Sequence, residues 1–453
     1  MDIRDRRLKA RLSKWGTCSV ETKRGLVKPR KVIMLKRFLS YYRPQMGLLV
    51  ADTVCALVLA AIDLAFPIIL RNLTGGLFTQ GQAAIMQALG MIAVGLVLMY
   101  AVRCACRYFV SYWGHVMGAR MESKMREDLF DQYERFSFAY FDRNSSGDMM
   151  SRVVNDLFDI CEAAHHVPEW IIICGIEIIG SFVILFTIAP VLALAMAVVT
   201  AVFAVIMFWQ NMRMREVFSD NRKKISGINA QLQDSLAGMR VVKSFANEET
   251  ERAKFRASND CYLSSKENMY HAMGVYTATY GLLSGVLYVI VVLLGGWLVA
   301  QGELQAVDMA TFALYISLFC TPLETLVNSA EMYQKAIAGF KRMDEVLSTA
   351  PDIQDKPDAL PLKNVQGEVT FENVSFHYEE SKENVLSNVN LHVPAGDYVA
   401  LVGSSGAGKT TLCSLLPRFY DVTEGRILLD GKDIRDVKLK DLRDEIGIVQ
   451  QDV

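Results

Sequence analysis

Long apolar stretches dominate the chain up to about residue 327, and short segments with alternating apolar and polar residues follow. Each of six stretches could form a helix that crosses the roughly 30 Å hydrocarbon core of a bilayer. The predicted spans are Met46–Leu70, Ala84–Val102, Trp170–Ala189, Val191–Trp209, Tyr276–Ala300 and Met309–Val327. The pattern predicts a polytopic α-helical membrane domain, and it disfavours the alternative of buried helices in a large soluble core.

The third and fourth spans form one apolar run that is interrupted by Pro190. As a single helix, the run of about forty residues would extend for about 60 Å, twice the thickness of the hydrocarbon core. Pro190 is therefore predicted to lie in a tight turn between two spans.

The charge distribution orients the predicted spans. The net charge is only −1, but basic residues are concentrated in three segments. The first 45 residues carry fourteen Lys and Arg residues against three acidic residues. Loop 114–167 carries six Lys and Arg residues, and loop 210–270 carries eleven. The other loops carry only Arg71. Because positive loops stay in the cytoplasm, both termini and both long loops are predicted to be cytoplasmic.

Both long loops show a helical apolar period, so they are predicted to extend the spans as stalks outside the bilayer. The first loop carries Met121, Met125, Leu129, Tyr133, Phe136 and Tyr140; the second carries Ile225, Ile228, Leu232, Leu236 and Met239. Their predicted tips, Phe141–Asp148 and Gly238–Ala246, contain the glycine and turn residues that allow a helix reversal.

A change of period marks a second domain. Helical spacing ends near Leu347, a proline-containing linker follows, and from Val369 the apolar residues alternate as in strands. The predicted division is a basic leader at 1–33, a membrane domain at 34–340, a linker at 341–368 and part of an α/β nucleotide domain at 369–453. Further strands are predicted at 397–402, 426–430 and 446–449.

The segment Gly403–Thr410 has the spacing of a P-loop between a predicted strand and a predicted helix. Its glycines would let successive backbone N–H groups point at phosphate oxygens, Lys409 would reach the β- and γ-phosphates, and Thr410 would bind Mg²⁺. An accidental glycine-rich turn is the alternative, and the flanking elements argue against it. The sequence therefore predicts a site for a nucleoside triphosphate and Mg²⁺.

Six spans, two cytoplasmic stalks and a P-loop, in that order, resemble the half-transporters of the ATP-binding cassette (ABC) exporters. Several local motifs support the resemblance. They are Phe141–Asp148, Gly238–Phe245, Phe376-His377-Tyr378, Arg418-Phe419-Tyr420-Asp421, Gly425-Arg426-Ile427 and Ile448–Asp452. From about Met34 onward, the chain is similar to these exporters throughout.

The resemblance implies roles for individual residues. Tyr378 would stack on adenine, although a strand aromatic packed in a small core is the alternative, and Gln451 would contact Mg²⁺ and the attacking water. The implied ATP-binding residues are Tyr378, Gly403, Ser404, Ser405, Gly406, Ala407, Gly408, Lys409, Thr410, Thr411 and Gln451. The implied coupling residues, which press on the nucleotide domains, are Phe141, Asp142, Gly147, Asp148, Gly238, Val242 and Phe245. The second coupling loop would dock on a partner subunit, which implies a homodimer or heterodimer.

The family's signature motif, Walker B strand and switch histidine follow the motif at Gln451, and the sequence as given ends at Val453. We therefore expect no ATP turnover from a polypeptide that ends there, and the chain resembles a half-transporter truncated just after that glutamine. Met34 resembles the usual start of such proteins, so residues 1–33 are expected to be an extension.

The sequence predicts an ATP-driven exporter subunit in the plasma membrane that moves a drug, lipid or peptide out of the cytoplasm by alternating access, with no nucleic-acid partner. A nucleotide-gated channel or regulator on the same fold, and a binding-only partner of a full-length subunit, are the alternatives. Charged residues inside or beside the spans indicate a polar substrate path, helix pairing, or a position near the membrane interface where the side chain reaches water. They are Asp52, Asp63, Arg103, Arg107, Glu177 and Glu324. For Arg103 and Arg107, one helical turn apart near the inner surface, the second and third alternatives are favoured. The adjacent His165 and His166 are not predicted to hold a metal, because neighbouring side chains on a helix diverge.

Overall fold

The structure, a computed structural model, describes residues 30–378, 381 and 383–449. The predicted leader therefore lies almost wholly outside the described residues, and so does Gln451. Within the described part, six helices are long and apolar enough to cross a membrane: Met34–Thr79, Gln82–Glu134, Ser146–Ile188, Pro190–Ala237, Glu248–Ala300 and Ala306–Ser348. They contain the six predicted spans except Ala189, the last residue of the third, and the polytopic helical fold is confirmed.

The helical elements of this region follow in sequence. They are α1 (Arg30–Tyr42), α2 (Met46–Gly75), α3 (Gln82–Phe109), α4 (His115–Glu134), α5 (Phe138–Arg143), α6 (Ser146–Ser151), α7 (Leu157–Ile188), α8 (Pro190–Ala237), α9 (Met239–Ser244), α10 (Glu248–Ile290), α11 (Gly296–Ala300) and α12 (Ala306–Ser348). Single π-helical turns, Val110–Gly114, Arg152–Asp156 and Val291–Gly295, join α3 to α4, α6 to α7 and α10 to α11. Three long helices thus continue through a π turn instead of ending.

The turn at Pro190 is as predicted. Helix α7 ends at Ile188, Ala189 is extended, and Pro190 begins α8. Proline fits the first position of a helix because its missing N–H would have no partner there. Helix α12 begins with a reciprocal cap in which the Asp308 carboxylate accepts a hydrogen bond from the Gln305 backbone N–H at 3.0 Å.

The long helices pack as pairs, α8 along α10 and α7 along α12, and α2 also packs against α7. Their shared core contains fully buried Leu185, Leu192, Met196, Phe312 and Phe319. The Tyr315 hydroxyl donates a hydrogen bond of 2.5 Å to the Leu64 carbonyl oxygen. A buried tyrosine hydroxyl needs such a partner, and this one links α12 to α2.

The two predicted stalks differ in burial. In the first, Met121, Met125 and Leu129 are buried as their period predicts. In the second, Ile228 is buried, whereas Leu232 and Leu236 are 37% and 66% exposed. The apolar face of the second stalk is therefore only partly covered by the described residues of this chain.

The nucleotide region contains a four-stranded antiparallel sheet of order β2-β1-β3-β4 in the described residues. The strands are β1 (Val369–Phe376), β2 (Leu386–Val393), β3 (Glu424–Leu429) and β4 (Lys432–Asp433), and the helices are α13 (Lys409–Leu415) and α14 (Leu439–Asp444). The predicted strand at 426–430 corresponds to β3. Phe371, Val374, Leu415 and Ile427 form much of the small core between sheet and helices.

Two strand predictions are wrong. Residues 397–402 and 446–449 form no strand, and Tyr398, Val402 and Val449 are at least 94% exposed. A strand needs a neighbour that pairs with its backbone N–H and C=O groups. No described strand lies beside either segment, so their apolar composition alone does not make them strands.

Candidate nucleotide-binding site

The P-loop lies between segment 397–402, which forms no regular element, and the first turn of α13. Gly406 and Gly408 both adopt φ of +83°, a left-handed conformation that glycine tolerates best. Gly403 does not have a positive φ, but a Cβ atom there would lie only 3.3 Å from the Ala407 Cβ atom, so this position also favours a small residue. A Cβ atom on Gly408 would lie 2.8 Å from Leu386 Cδ2, so this glycine also permits close packing on β2.

Lys409 begins α13 and turns back over the loop. Its ammonium group donates hydrogen bonds to the carbonyl oxygens of Gly403 at 3.0 Å and Ser404 at 2.8 Å. Residues Gly403–Ala407 are exposed, and Thr410 is exposed beside them. A cationic group and an exposed glycine-rich loop are thus held together, an arrangement that fits the phosphates of a nucleotide.

Tyr378 is partly buried after β1, within reach of the P-loop helix. Its hydroxyl and the Thr411 hydroxyl lie 3.0 Å apart in a hydrogen bond. The Tyr378 ring packs edge-on against Phe376 and Tyr420, at centroid distances of 5.0 and 5.4 Å. The structure therefore brings Tyr378 and Thr411 together, and it also gives Tyr378 part of the packing role that was the alternative.

The first predicted coupling loop contacts the segment that follows α13. The Tyr420 hydroxyl donates a hydrogen bond of 2.6 Å to Asp142 Oδ2 in α5. Burial, and then this hydrogen bond, raise the pKa of Tyr420, so the hydroxyl remains a donor to a higher pH than an exposed tyrosine does. Beside it, the rings of Phe138 and Phe419 stack at 4.0 Å with an angle of 12° between their planes.

Arg443, in the nucleotide region, stabilises the segment that contacts the first coupling loop. Its guanidinium carbon lies 5.3 Å from the centroid of the Phe419 ring, and its nitrogens donate to the carbonyl oxygens of Pro417 and Arg418 at 3.1 and 3.0 Å. The turn after α13 is therefore fixed to α14. Next to the contact lies a cavity of 530 Å³ whose walls include Asp142, Tyr378 and Tyr420.

Sequence reasoning missed Phe138 and assigned no role to Phe419 and Tyr420. The only available signal was the aromatic pair in the motif Arg418–Asp421. Of the other predicted coupling residues, Phe141, Gly147 and Asp148 are exposed in and beside α5 and α6. In the second loop, Val242 is partly buried, whereas Val241 and Phe245 are 62% and 78% exposed.

The comparisons with known proteins agree with this architecture. Residues 49–323 match the family described as ABC transporter transmembrane region, and residues 386–453 match the family described as ABC transporter.

Curated relatives match most of the chain. An uncharacterized ABC transporter ATP-binding protein, YwjA of Bacillus subtilis, is 36% identical over 420 residues, which are 93% of this chain and 72% of the relative. A putative multidrug export ATP-binding/permease protein, YgaD of the same organism, is 30% identical over 92% of this chain and 73% of its own length. An ATP-dependent lipid A-core flippase of Syntrophus aciditrophicus is 30% identical over 93% of this chain and 69% of its own length. The chain belongs to the ABC transporter family, with its transmembrane region preceding the ATP-binding region.

Proposed function

We propose that the protein is a subunit of an ATP-driven exporter that moves a hydrophobic or amphipathic substrate out of the cytoplasm. The single observation that best supports this is the contact of Asp142 and Phe138 with Tyr420 and Phe419, which joins the membrane region to the turn directly after the P-loop helix. A nucleotide site with no mechanical contact to the spans could not drive transport. One relative is named as a putative multidrug export protein and another as an ATP-dependent lipid A-core flippase, and both names support ATP-driven movement of such a substrate.

In the proposed site, Gly403–Thr411 would hold the phosphates of ATP, Tyr378 would contact the adenine ring, and Thr410 would bind Mg²⁺. Gln451, outside the described residues, is the proposed second Mg²⁺ contact. Hydrolysis supplies the free energy, and the residues of this chain bind and orient the phosphates. Lys409 would exchange its two carbonyl partners for phosphate oxygens, which carry full charges and so bind an ammonium group more strongly.

A substrate path is proposed at a cavity of 610 Å³ between the helices. Apolar Trp170, Ile173 and Leu318 line it together with the charged Arg107 and Glu177. A mixed wall of this kind fits an amphipathic molecule. Arg103 donates two hydrogen bonds to the Asp63 carboxylate, at 2.8 and 3.3 Å, which supports the helix-pairing alternative for this residue.

A second subunit is the proposed partner, with both subunits in the plasma membrane and their nucleotide domains in the cytoplasm. The exposed apolar residues of the second stalk and loop support the proposal. They are Leu232, Leu236, Val241 and Phe245. A soluble surface rarely exposes such a row without a partner, and a second copy or a related half-transporter would cover it.

Transport in membrane vesicles tests the proposal. We expect a fluorescent amphipathic dye to accumulate against its gradient in inside-out vesicles that carry the protein with a complete ATP-binding region, only when ATP and Mg²⁺ are present. Dissipation of an existing gradient on nucleotide addition would instead identify a nucleotide-gated channel. Dye accumulation only when a full-length subunit is co-expressed would identify the chain as a partner subunit.

The proposed coupling contact predicts the effect of Tyr420→Phe. This substitution removes one hydroxyl and its hydrogen bond to Asp142, a loss of about 1 kcal/mol for a partly exposed charged acceptor. We expect the rate of dye transport per ATP hydrolysed to fall about fivefold, with the Kd for ATP unchanged. Tyr333→Phe, at a 53% exposed tyrosine on α12, is the matched control and should have no effect. Equal transport by both variants would contradict the coupling role.

A further inference from the structure

A cluster of histidines lies between α4 and α7, away from the nucleotide site. His115, Glu162, His165 and His166 each offer one ligand atom, and these atoms all lie within 4.8 Å of one another. Three come from α7 and one from the first residue of α4. The cluster therefore joins two helices that are about fifty residues apart in the chain.

The expectation that His165 and His166 diverge is wrong. Their ring centroids lie 4.0 Å apart, and both rings face His115, at 4.4 and 5.2 Å. Glu162, His165, His166 and Glu169 occupy positions i, i+3, i+4 and i+7 on α7, so all four share one face of the helix. The two histidines lie on either side of that face's midline, and their rings turn toward it.

Close approach of α4 makes the third histidine available. Gly114 and Gly118 face α7, and a Cβ atom on Gly118 would lie 3.0 Å from His165 Nδ1. Small residues four apart let two helix backbones come close together in membranes. The π turn at Val110–Gly114 ends immediately before His115, and such turns often occur at functional sites.

His165 is prepared to act as a metal ligand. It is 3% exposed, and its Nδ1 lies 2.9 Å from the Cys161 carbonyl oxygen. A carbonyl oxygen only accepts, so Nδ1 carries the proton and the lone pair is on Nε2. That Nε2 is buried and has no hydrogen-bond partner. A backbone carbonyl that fixes the tautomer in this way is the usual companion of a metal-bound imidazole.

Carboxylates surround the other imidazoles. Glu162 and Glu169 lie 3.7 Å from the two nitrogens of His166, and Asp52 Oδ1, buried without a partner, lies 3.4 Å from the position of a Gly114 Cβ. Negative charge of this kind offsets that of a divalent cation. We propose that His115, Glu162, His165 and His166 form a binding site for a divalent transition metal of the zinc class, which bridges α4 and α7.

The types of ligand, and the cavity that leads to them, fit a zinc-class ion. Three imidazoles and one carboxylate favour zinc-class metals over Mg²⁺ or Ca²⁺, which prefer oxygen ligands. Ligand atoms about 2.1 Å from a tetrahedral zinc lie about 3.4 Å apart, so the four atoms need to move together by about 1 Å. His115 is exposed, and His115 and His166 line the 610 Å³ cavity, which provides an entry route.

Metal titration of the purified chain in lipid nanodiscs tests the site. Its accessible cysteines are first alkylated on the folded chain, so that exposed thiolates cannot bind the metal. We expect one Zn²⁺ per chain, and visible absorption typical of tetrahedral coordination when Co²⁺ is used instead. His165→Gln and His166→Gln should each weaken binding at least about tenfold. His271→Gln, an exposed histidine on α10, is the matched control and should bind as the parent chain does.

A measurement on the unsubstituted chain guards against misfolded variants. Diethylpyrocarbonate modifies accessible imidazoles, and mass spectrometry reads each position separately. Saturating Zn²⁺ should slow modification of His115 at least tenfold and leave His271 unchanged, whereas Mg²⁺ should slow neither. An equal rate at His115 with and without Zn²⁺, or equal Zn²⁺ affinity in the His165→Gln and His271→Gln chains, would overturn the proposal.

Discussion

Replacement of Lys409 by alanine is expected to weaken ATP binding by about thirtyfold. The ammonium group already lies over the P-loop, where it donates to Gly403 O and Ser404 O. A hydrogen bond to a charged group contributes about 2 kcal/mol, which corresponds to about a thirtyfold change in Kd. Titration with a fluorescent ATP analogue in the presence of Mg²⁺ measures the effect, and ATP-dependent dye transport should be lost with it.

Two controls separate phosphate recognition from loop stability. Lys432→Ala removes the same charge from an exposed position on β4 and should leave the Kd for ATP unchanged. The melting temperature without nucleotide reports whether loss of the two carbonyl contacts loosens the loop by itself. Unchanged ATP affinity in Lys409→Ala would remove the P-loop from the proposed function.

The membrane fold was predictable because its signal is local. Met121, Met125 and Leu129 recur at the helical period, and one short sequence window contains the whole pattern. Pro190 likewise marks the boundary of α7 and α8 without reference to any distant residue. A bilayer also demands helices that satisfy their own backbone hydrogen bonds, so few alternatives remain once the apolar stretches are found.

The wrong and missed predictions concern features whose structure depends on residues far away in the sequence. Segment 397–402 has the composition of a buried strand, but a strand exists only through pairing, and sequence pattern does not show which strand lies beside it. The same limit hid the contact between α5 and the nucleotide region. Asp142 and Tyr420 are 278 residues apart, and neither sequence motif indicates that it contacts the other.

The two candidate sites illustrate both situations, a local sequence signal and a dependence on distant contacts. The P-loop was found because all its chemistry lies in eight consecutive residues. The histidine cluster was missed because its third imidazole comes from α4 and its geometry depends on how closely Gly114 and Gly118 let that helix approach. Adjacent histidines carry little information until the opposing helix is known.

The largest loss of stability is expected from Gly425→Ala at the start of β3. Gly425 adopts φ of +82°, and a Cβ atom there would lie 2.3 Å from the Asn373 carbonyl oxygen and 2.4 Å from that of Glu372. These are backbone atoms of β1, at the irregularity between Glu372 and Ser375, and they cannot rotate away. Left-handed strain alone costs about 1 kcal/mol, and the clash should raise the total to at least about 3 kcal/mol.

Gly431→Ala measures the cost of a positive φ without a steric clash. Gly431 has a similar φ of +75° in the turn before β4, but nothing lies within 4 Å of its Cβ position, so only the cost of about 1 kcal/mol is expected. Thermal unfolding of both variants, followed by the loss of protease resistance in residues 369–449, measures the difference. If both glycines act through φ alone, the two melting temperatures should coincide. A clearly lower melting temperature for Gly425→Ala would show that the close approach of β3 to β1 contributes to stability. The same close approach positions the turn that carries Phe419 and Tyr420 against the membrane region.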